Sequence, residues 1–180
     1  DREPASHRKT ARTVEHKEAT SDAPRALITD GDVTPALFKA MMMNVGNQII
    51  AEKNWLSELD GVIGDGDHGI TMEIGWKAVQ HALEDEQGDE TIEAICKRMA
   101  KAFLDAVGAS SGPLYATAFL RAGTAVSNRL NLDGTGIAEW LAAASQGIQD
   151  RGRAAPGDKT MIDAWVPAVD AANEAAKAGK

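Results

Sequence analysis

Residues 59–69 read LDGVIGDGDHG, and they crowd Asp60, Asp65 and Asp67 among Gly61, Gly64, Gly66 and Gly69. Three carboxylates packed this closely repel one another unless a cation lies among them. Donors that are all oxygen select a hard cation, magnesium above zinc. Magnesium keeps waters and draws its remaining ligands from substrate phosphates, so a metal at these aspartates would bring a nucleotide with it. The opposing reading is a solvated turn whose aspartates cap helices. Spacing alone leaves both readings open. A second DGD at residues 30–32 leads directly into a helix start, and there the capping reading prevails.

Two familiar patterns fail on the same stretch. GDGDHG at residues 64–69 matches G-x-G-x-x-G, but that dinucleotide fingerprint needs a strand before it. The preceding IIAEKNWLSELD reads as helix, and Asp65 and Asp67 would repel a bare pyrophosphate. An EF-hand counted from Asp65 puts Gly69 at the fifth position and Trp76 at the twelfth, where calcium needs oxygen donors.

Two further stretches could touch a nucleotide. VGASSGPLYATAF, residues 107–119, closes one helix and reopens another at Gly112-Pro113. Backbone N–H groups at such a start, with the Ser110 and Ser111 hydroxyls, suit phosphate oxygens. No G-K-[ST] follows, so this is not a Walker loop, and a plain capped connection explains it equally. RGRAAPGDKTMIDAW, residues 151–165, sets two arginines and Lys159 against local acidity. Asp158 or Thr160 can cap the helix that follows, and Met161 suits the core better than an adenine contact.

The elements that must position these residues are helical. Thr34-Pro35 is an N-cap followed by a first helical position. Apolar stripes follow at Leu37, Met41, Val45 and Ile49, at Ile70, Ile74, Ala78 and Ala82, and at Ile92, Ile95, Met99, Ala102, Phe103, Ala106 and Val107. A fourth helix runs from Gly112-Pro113 to about Leu130. Ile137, Leu141, Ala144 and Ile148 mark a fifth, and Met161, Trp165, Val169, Ala172 and Ala176 a sixth. No run of alternating β-branched residues appears, so the expected fold is all-α, with about six helices. Residues 1–32 mix opposite charges with few apolar side chains and read as a disordered arm or linker, leaving 33–180 as the folded domain.

Composition narrows the function classes. The 180 residues carry a net charge of −8, which argues against a general nucleic-acid binder. No apolar run reaches membrane-spanning length and no signal-peptide pattern is present, so the cytoplasm is the expected compartment. The single cysteine, Cys96, lies on an apolar helical face and reads as a buried, inert thiol.

Taken together, LDGVIGDGDHG, VGASSGPLYATAFLRAG and RGRAAPGDKTMIDAWVPAV resemble the nucleotide-binding (L-type) subunit or domain of dihydroxyacetone kinases, in the family's order and across about residues 34–180. The resemblance implies an antiparallel eight-helix barrel with ADP or ATP at one end. It implies that Asp60, Asp65 and Asp67 hold Mg2+ and that His68, Gly69, Ile70 and Thr71 form a nucleotide-contacting turn. Ser110, Ser111 and Gly112 match the phosphate-contacting loop, and Gly152 and Met161 match positions near the adenine. Thr71 stands where the family often has Asn, and GASSG where it often has GGASG.

The implied activity is phosphoryl donation to a small ketose held on a partner subunit or domain, through a histidine of that partner. No catalytic side chain of this chain is implied. Two versions stay open: ADP held as a cofactor and rephosphorylated by a phosphocarrier protein, or ATP exchanging as a substrate. A second copy of the chain is a further candidate partner. The family pattern continues beyond Lys180 with a basic, glycine-containing segment and further helices. The domain is therefore expected to be C-terminally incomplete and to expose Met161, Trp165 and Val169. The competing class is a non-catalytic acidic helical interaction module.

Overall fold

A computed structural model describes residues 31–85, 88 and 90–179; most of the expected arm lies outside them. Seven helices are described: α1 Pro35–Ala51, α2 Lys53–Asp60, α3 His68–Glu84, α4 Ile92–Ala106, α5 Ser111–Ala125, α6 Gly134–Gly152 and α7 Ile162–Lys177. The described residues contain no strand, and an isolated antiparallel bridge pairs Val33 with Leu132. The all-α expectation holds, with one helix more than the stripes suggested, because the chain breaks at Glu52 between α1 and α2.

Helix starts follow local chemistry. Thr34 caps α1 by accepting the Leu37 N–H at 3.2 Å, with Pro35 in the first turn. Thr91 caps α4 and Asp133 caps α6 in the same way, accepting the N–H of Ala94 at 3.2 Å and of Gly136 at 2.7 Å. Each cap satisfies an N–H that would otherwise lack a partner. The fourth helix ends at Ala125 rather than near Leu130, which is exposed in the turn before α6. Before α7 the Thr160 hydroxyl accepts the Ile162 N–H, whereas Asp158 turns back to accept the Ala155 N–H.

Successive helices from α2 to α6 run antiparallel. On α2 and α3, Lys53 pairs with Glu73 and Ser57 lies against Gly69. On α3 and α4, Trp76 stacks edge-on against Phe103 while Arg98 donates to the carbonyls of Ala82 and Asp85, closing the far end of α3. Phe103 meets Tyr115 and Cys96 meets Gly123 across α4 and α5. Gly147 lies against Thr117, and Gly152 against Leu114, across α5 and α6. The core between them holds Phe38, Trp76, Phe103, Phe119 and Trp140 with the aliphatic residues of α4. Cys96 is fully buried there, its sulfur 3.3 Å from the Trp140 indole nitrogen, and burial pushes its thiol up to about 11.

The expected α3 stripe faces the wrong way, and the α1 stripe lies at the edge of the buried face. α3 buries Met72, Trp76, Val79 and Leu83, whereas Ile70 and Ile74 are 51% and 48% exposed. α1 buries Phe38, Met42 and Gly46, while Met41 and Ile49 are half-buried against the core and Val45 is exposed. Both helices carry apolar residues on more than one face, so periodicity could not rank them. The α4 stripe holds, with Ala102 and Ala106 only half-buried. At the N-cap of α7 and along it, Met161, Trp165 and Val169 are half-buried rather than exposed, the first two packed against the core's edge.

Candidate metal and nucleotide site

The antiparallel order brings the α2–α3 loop, the α4–α5 turn and the α6–α7 loop to one end of the bundle. α3 and α5 begin there, and α4 and α6 end there. The three stretches singled out by residue type, far apart in sequence, therefore converge.

Asp60 ends α2, and its carboxylate turns back over the loop. One oxygen accepts the Gly66 N–H at 3.0 Å and the His68 N–H at 3.3 Å. This holds the loop closed against the start of α3. Gly66 adopts φ +79°, a left-handed conformation that glycine takes without a steric penalty. Gly69 is buried so tightly that a Cβ there would strike the Lys53 carbonyl oxygen of α2. Asp60, Asp65 and Asp67 each have a carboxylate oxygen within 4.8 Å of one on each of the other two. Asp60 is half-buried; Asp65 and Asp67 are exposed. Asp67 occupies the N-cap position of α3, yet its side chain makes no capping bond. Capping thus accounts for Asp60 alone. The all-oxygen donors and the two carboxylates without a hydrogen-bond partner among the described residues suit a hard divalent cation.

His68, Gly69, Ile70 and Thr71 form the first turn of α3, where backbone N–H groups lack helical partners. Gly69 is buried, His68 and Thr71 are half-buried, and Ile70 faces solvent. Ser110 is exposed at the N-cap of α5 with no capping bond from its side chain. Ser111 and Gly112 are buried in the first turn. Gly152 ends α6 against Leu114 of that same turn, and Met161 packs half-buried before α7. The structure therefore gathers the expected site residues at one end of the bundle.

A profile of the DAK2 domain matches residues 62–180. The chain belongs to the DAK2 domain family. It is 37% identical over 129 residues to the ADP-binding subunit DhaL of PEP-dependent dihydroxyacetone kinase 1 from Listeria innocua, a match covering 72% of this chain and 64% of that one. Against the ADP-binding subunit DhaL of the PEP-dependent dihydroxyacetone kinase of Escherichia coli, identity is 36% over 132 residues, covering 73% of this chain and 62% of the other. The chain thus matches a little over three fifths of the length of these relatives. Its fold superposes on the crystal structure of the dihydroxyacetone kinase from C. freundii in complex with AMP-PNP and Mg2+, with a TM-score of 0.66, 25% identity and coverage of 93% of this chain and 32% of that one.

Within this DAK2 domain, some neighbours of the site left little trace in the sequence. The Ser57 hydroxyl is buried without a hydrogen-bond partner among the described residues, one turn before Asp60 on α2, with its oxygen against Gly69. Glu73, one turn into α3, lies between Lys53 at 3.0 Å and Lys77 at 2.9 Å, and these lysines hold its carboxyl below the usual range. In the α6–α7 loop the Asp163 carboxylate accepts the Gly157 N–H at 2.6 Å and the Thr160 N–H at 3.1 Å, and these backbone bonds lower its pKa. Ser57 and Asp163 stand three residues from a residue already singled out, Asp60 and Thr160, but nothing in the spacing distinguishes them from ordinary helix and loop positions.

Proposed function

We propose that this chain is the Mg-nucleotide-binding, phosphoryl-donating part of a dihydroxyacetone-type kinase. The observation that carries the reading is the pair Asp65 and Asp67, two exposed carboxylates converging with Asp60 that have no structural work of their own. Membership of the DAK2 family and the likeness to ADP-binding subunits support it.

Asp60, Asp65 and Asp67 would hold Mg2+, which when bound neutralises phosphate charge and orients a phosphoryl group for in-line transfer. One Asp60 oxygen holds the loop amides, and the carboxylate's second oxygen would be available to the cation. The α3 first turn, His68 to Thr71, and the α5 first turn, Ser110 to Gly112, offer N–H groups and hydroxyls to phosphate oxygens. Gly152 and Met161 form the flank for the base. Phosphoryl transfer asks for positioning and charge neutralisation more than for covalent help, which agrees with the lack of a candidate general base. The acceptor ketose belongs to a partner subunit or domain, and a phosphocarrier protein recharges ADP where the nucleotide does not exchange.

The test is in two steps. Mg-ADP should raise the melting midpoint of the chain once any bound nucleotide has been stripped from it, because a ligand that binds only the folded state stabilises it. Adding a ketose-binding kinase subunit and dihydroxyacetone, with ATP in the exchange version or a phosphorylated phosphocarrier protein in the cofactor version, should then yield dihydroxyacetone phosphate, which the chain alone should not make. No midpoint shift with Mg-ADP would refute the reading and favour an interaction module. Retention of ADP through desalting would assign the cofactor version; its loss would assign ATP exchange.

A further inference from the structure

We propose that the apolar rim of the metal loop, Val62 and Ile63 together with Ile74 of α3, is the surface on which the ketose-binding partner docks, a proposal that rests on the kinase reading above. Scattered exposed apolar side chains are ordinary. Here they are gathered: of the nine large hydrophobic residues exposed among the described residues, five fall from Leu59 to Ile74. Ile63 is 96% exposed, with Leu59 and Val62 exposed beside it. Ile70 and Ile74 stand one turn apart on the open face of α3. The Asp60 carboxylate holds the Gly66 and His68 N–H groups, which folds the loop back onto the start of α3. The two apolar groups therefore flank Asp65 and Asp67 in the chain and share their end of the bundle.

The fold asks little of these side chains. Ile63, almost fully in solvent, has no part in the core. Exposed apolar surface gathered beside polar residues marks a site of protein association. The geometry of transfer names the associate. The ketose hydroxyl oxygen must come within about 3–3.5 Å of the phosphorus, in line with the bond that breaks. A partner that carries the ketose there must cover the metal loop. An ordinary interface takes about 800 Å2 from each side, equivalent to a disc of about 16 Å radius. Ile63 is two residues from Asp65, at most about 7 Å of chain. Ile74 lies about 10 Å of helix from Asp67 at the α3 N-cap. Both fall inside that footprint, and burying them would keep water from the phosphoryl group. A ketose-binding partner must cover this end in either version of the nucleotide reading. A phosphocarrier visits it only in the cofactor version, and a second copy of the chain brings no acceptor.

The test measures, by calorimetry, binding of the full chain to its cognate ketose-binding subunit or domain and, separately, to Mg-ADP, with melting curves alongside. Ile63→Ser and Ile74→Ser should nearly keep the melting midpoint, since both positions are exposed. Each should weaken the protein complex roughly tenfold, the size of one apolar side chain's burial, and leave Mg-ADP affinity unchanged. In turnover, the partner concentration that gives half the maximal rate should rise in step, while the rate at saturating partner stays that of the unmutated chain. Leu130→Ser, at an exposed position on the opposite end of the bundle, should change none of these. Unaltered partner affinity in the Ile63→Ser, Ile74→Ser double variant overturns the docking surface, as does an equal loss in Leu130→Ser. A matching loss of Mg-ADP affinity would assign the rim to the nucleotide site and overturn it too. So would a defect confined to the phosphocarrier, or self-association that Ile63→Ser abolishes while partner affinity stays intact. Failure of the unmutated chain to bind the ketose-binding protein would instead refute the kinase reading itself.

Discussion

Asp67→Asn should change the sign of its effect when metal and nucleotide are added. In the free protein, the Asp67 carboxylate has two like-charged neighbours with oxygens within 4.8 Å. At that separation each pair repels by about 1 kcal/mol across water, and physiological salt screens part of it. Against this stands the attraction of a carboxylate to the N-terminal end of α3, worth about 0.3–1 kcal/mol. Asp67 makes no hydrogen bond that the substitution would break. The balance is therefore between zero and about 1 kcal/mol in favour of the variant, a rise in melting midpoint of up to about 4 °C for a chain of this size. With Mg-ADP at a hundred times its dissociation constant, the unmutated chain should gain about 2.7 kcal/mol. The variant should lose most of that gain, because the cation is left with two carboxylates. Differential scanning calorimetry of both proteins, with and without Mg-ADP, reads both numbers. An equal ligand-induced shift in the two proteins would refute the metal assignment, and a lower midpoint for the free variant would show that Asp67 is a structural cap after all.

Asp60→Ala should behave differently from Asp67→Asn, since it removes the acceptor of the Gly66 and His68 N–H groups. A loss of about 2 kcal/mol in the free protein, discounted for partial exposure, should appear in chemical denaturation, and an unchanged midpoint would contradict the loop-closing role. Cys96 should resist thiol reagents at pH 8 until the chain unfolds, because burial holds its thiol at about 11 and the reactive thiolate is scarce. Labelling that runs ahead of unfolding, followed by mass spectrometry, would disprove this. For Asp163 the folded pKa lies below the ordinary value of 3.8, owing to its backbone hydrogen bonds. Its contribution to stability is thus fully present above the unfolded value and fades as pH falls through the folded one. Asp163→Asn should flatten the acid limb of the stability profile below about pH 4 relative to the unmutated chain.

What sequence alone determines here is whatever a few consecutive residues can enforce. Asp60, Asp65 and Asp67 are joined by a short glycine-rich loop, so their residue types and spacing already bring their oxygens together. The Thr34-Pro35 helix start is equally local, since cap and first turn are covalent neighbours. The α4 stripe is legible because one face carries the large apolar side chains, Ile95, Met99 and Phe103. α3 is not, because Ile70 and Ile74 compete with Met72, Trp76 and Val79, and periodicity has no means of choosing. The choice is made by what packs against the helix: Phe103 lies where any side chain at Gly75 would be, and the Lys53 carbonyl does the same at Gly69. Those contacts come from residues distant in the chain. The convergence of the three loops and the inward face of α3 were likewise decided only by tertiary structure. Antiparallel packing sets which helix ends meet, and burial against a neighbour's backbone is a long-range quantity that no local pattern encodes.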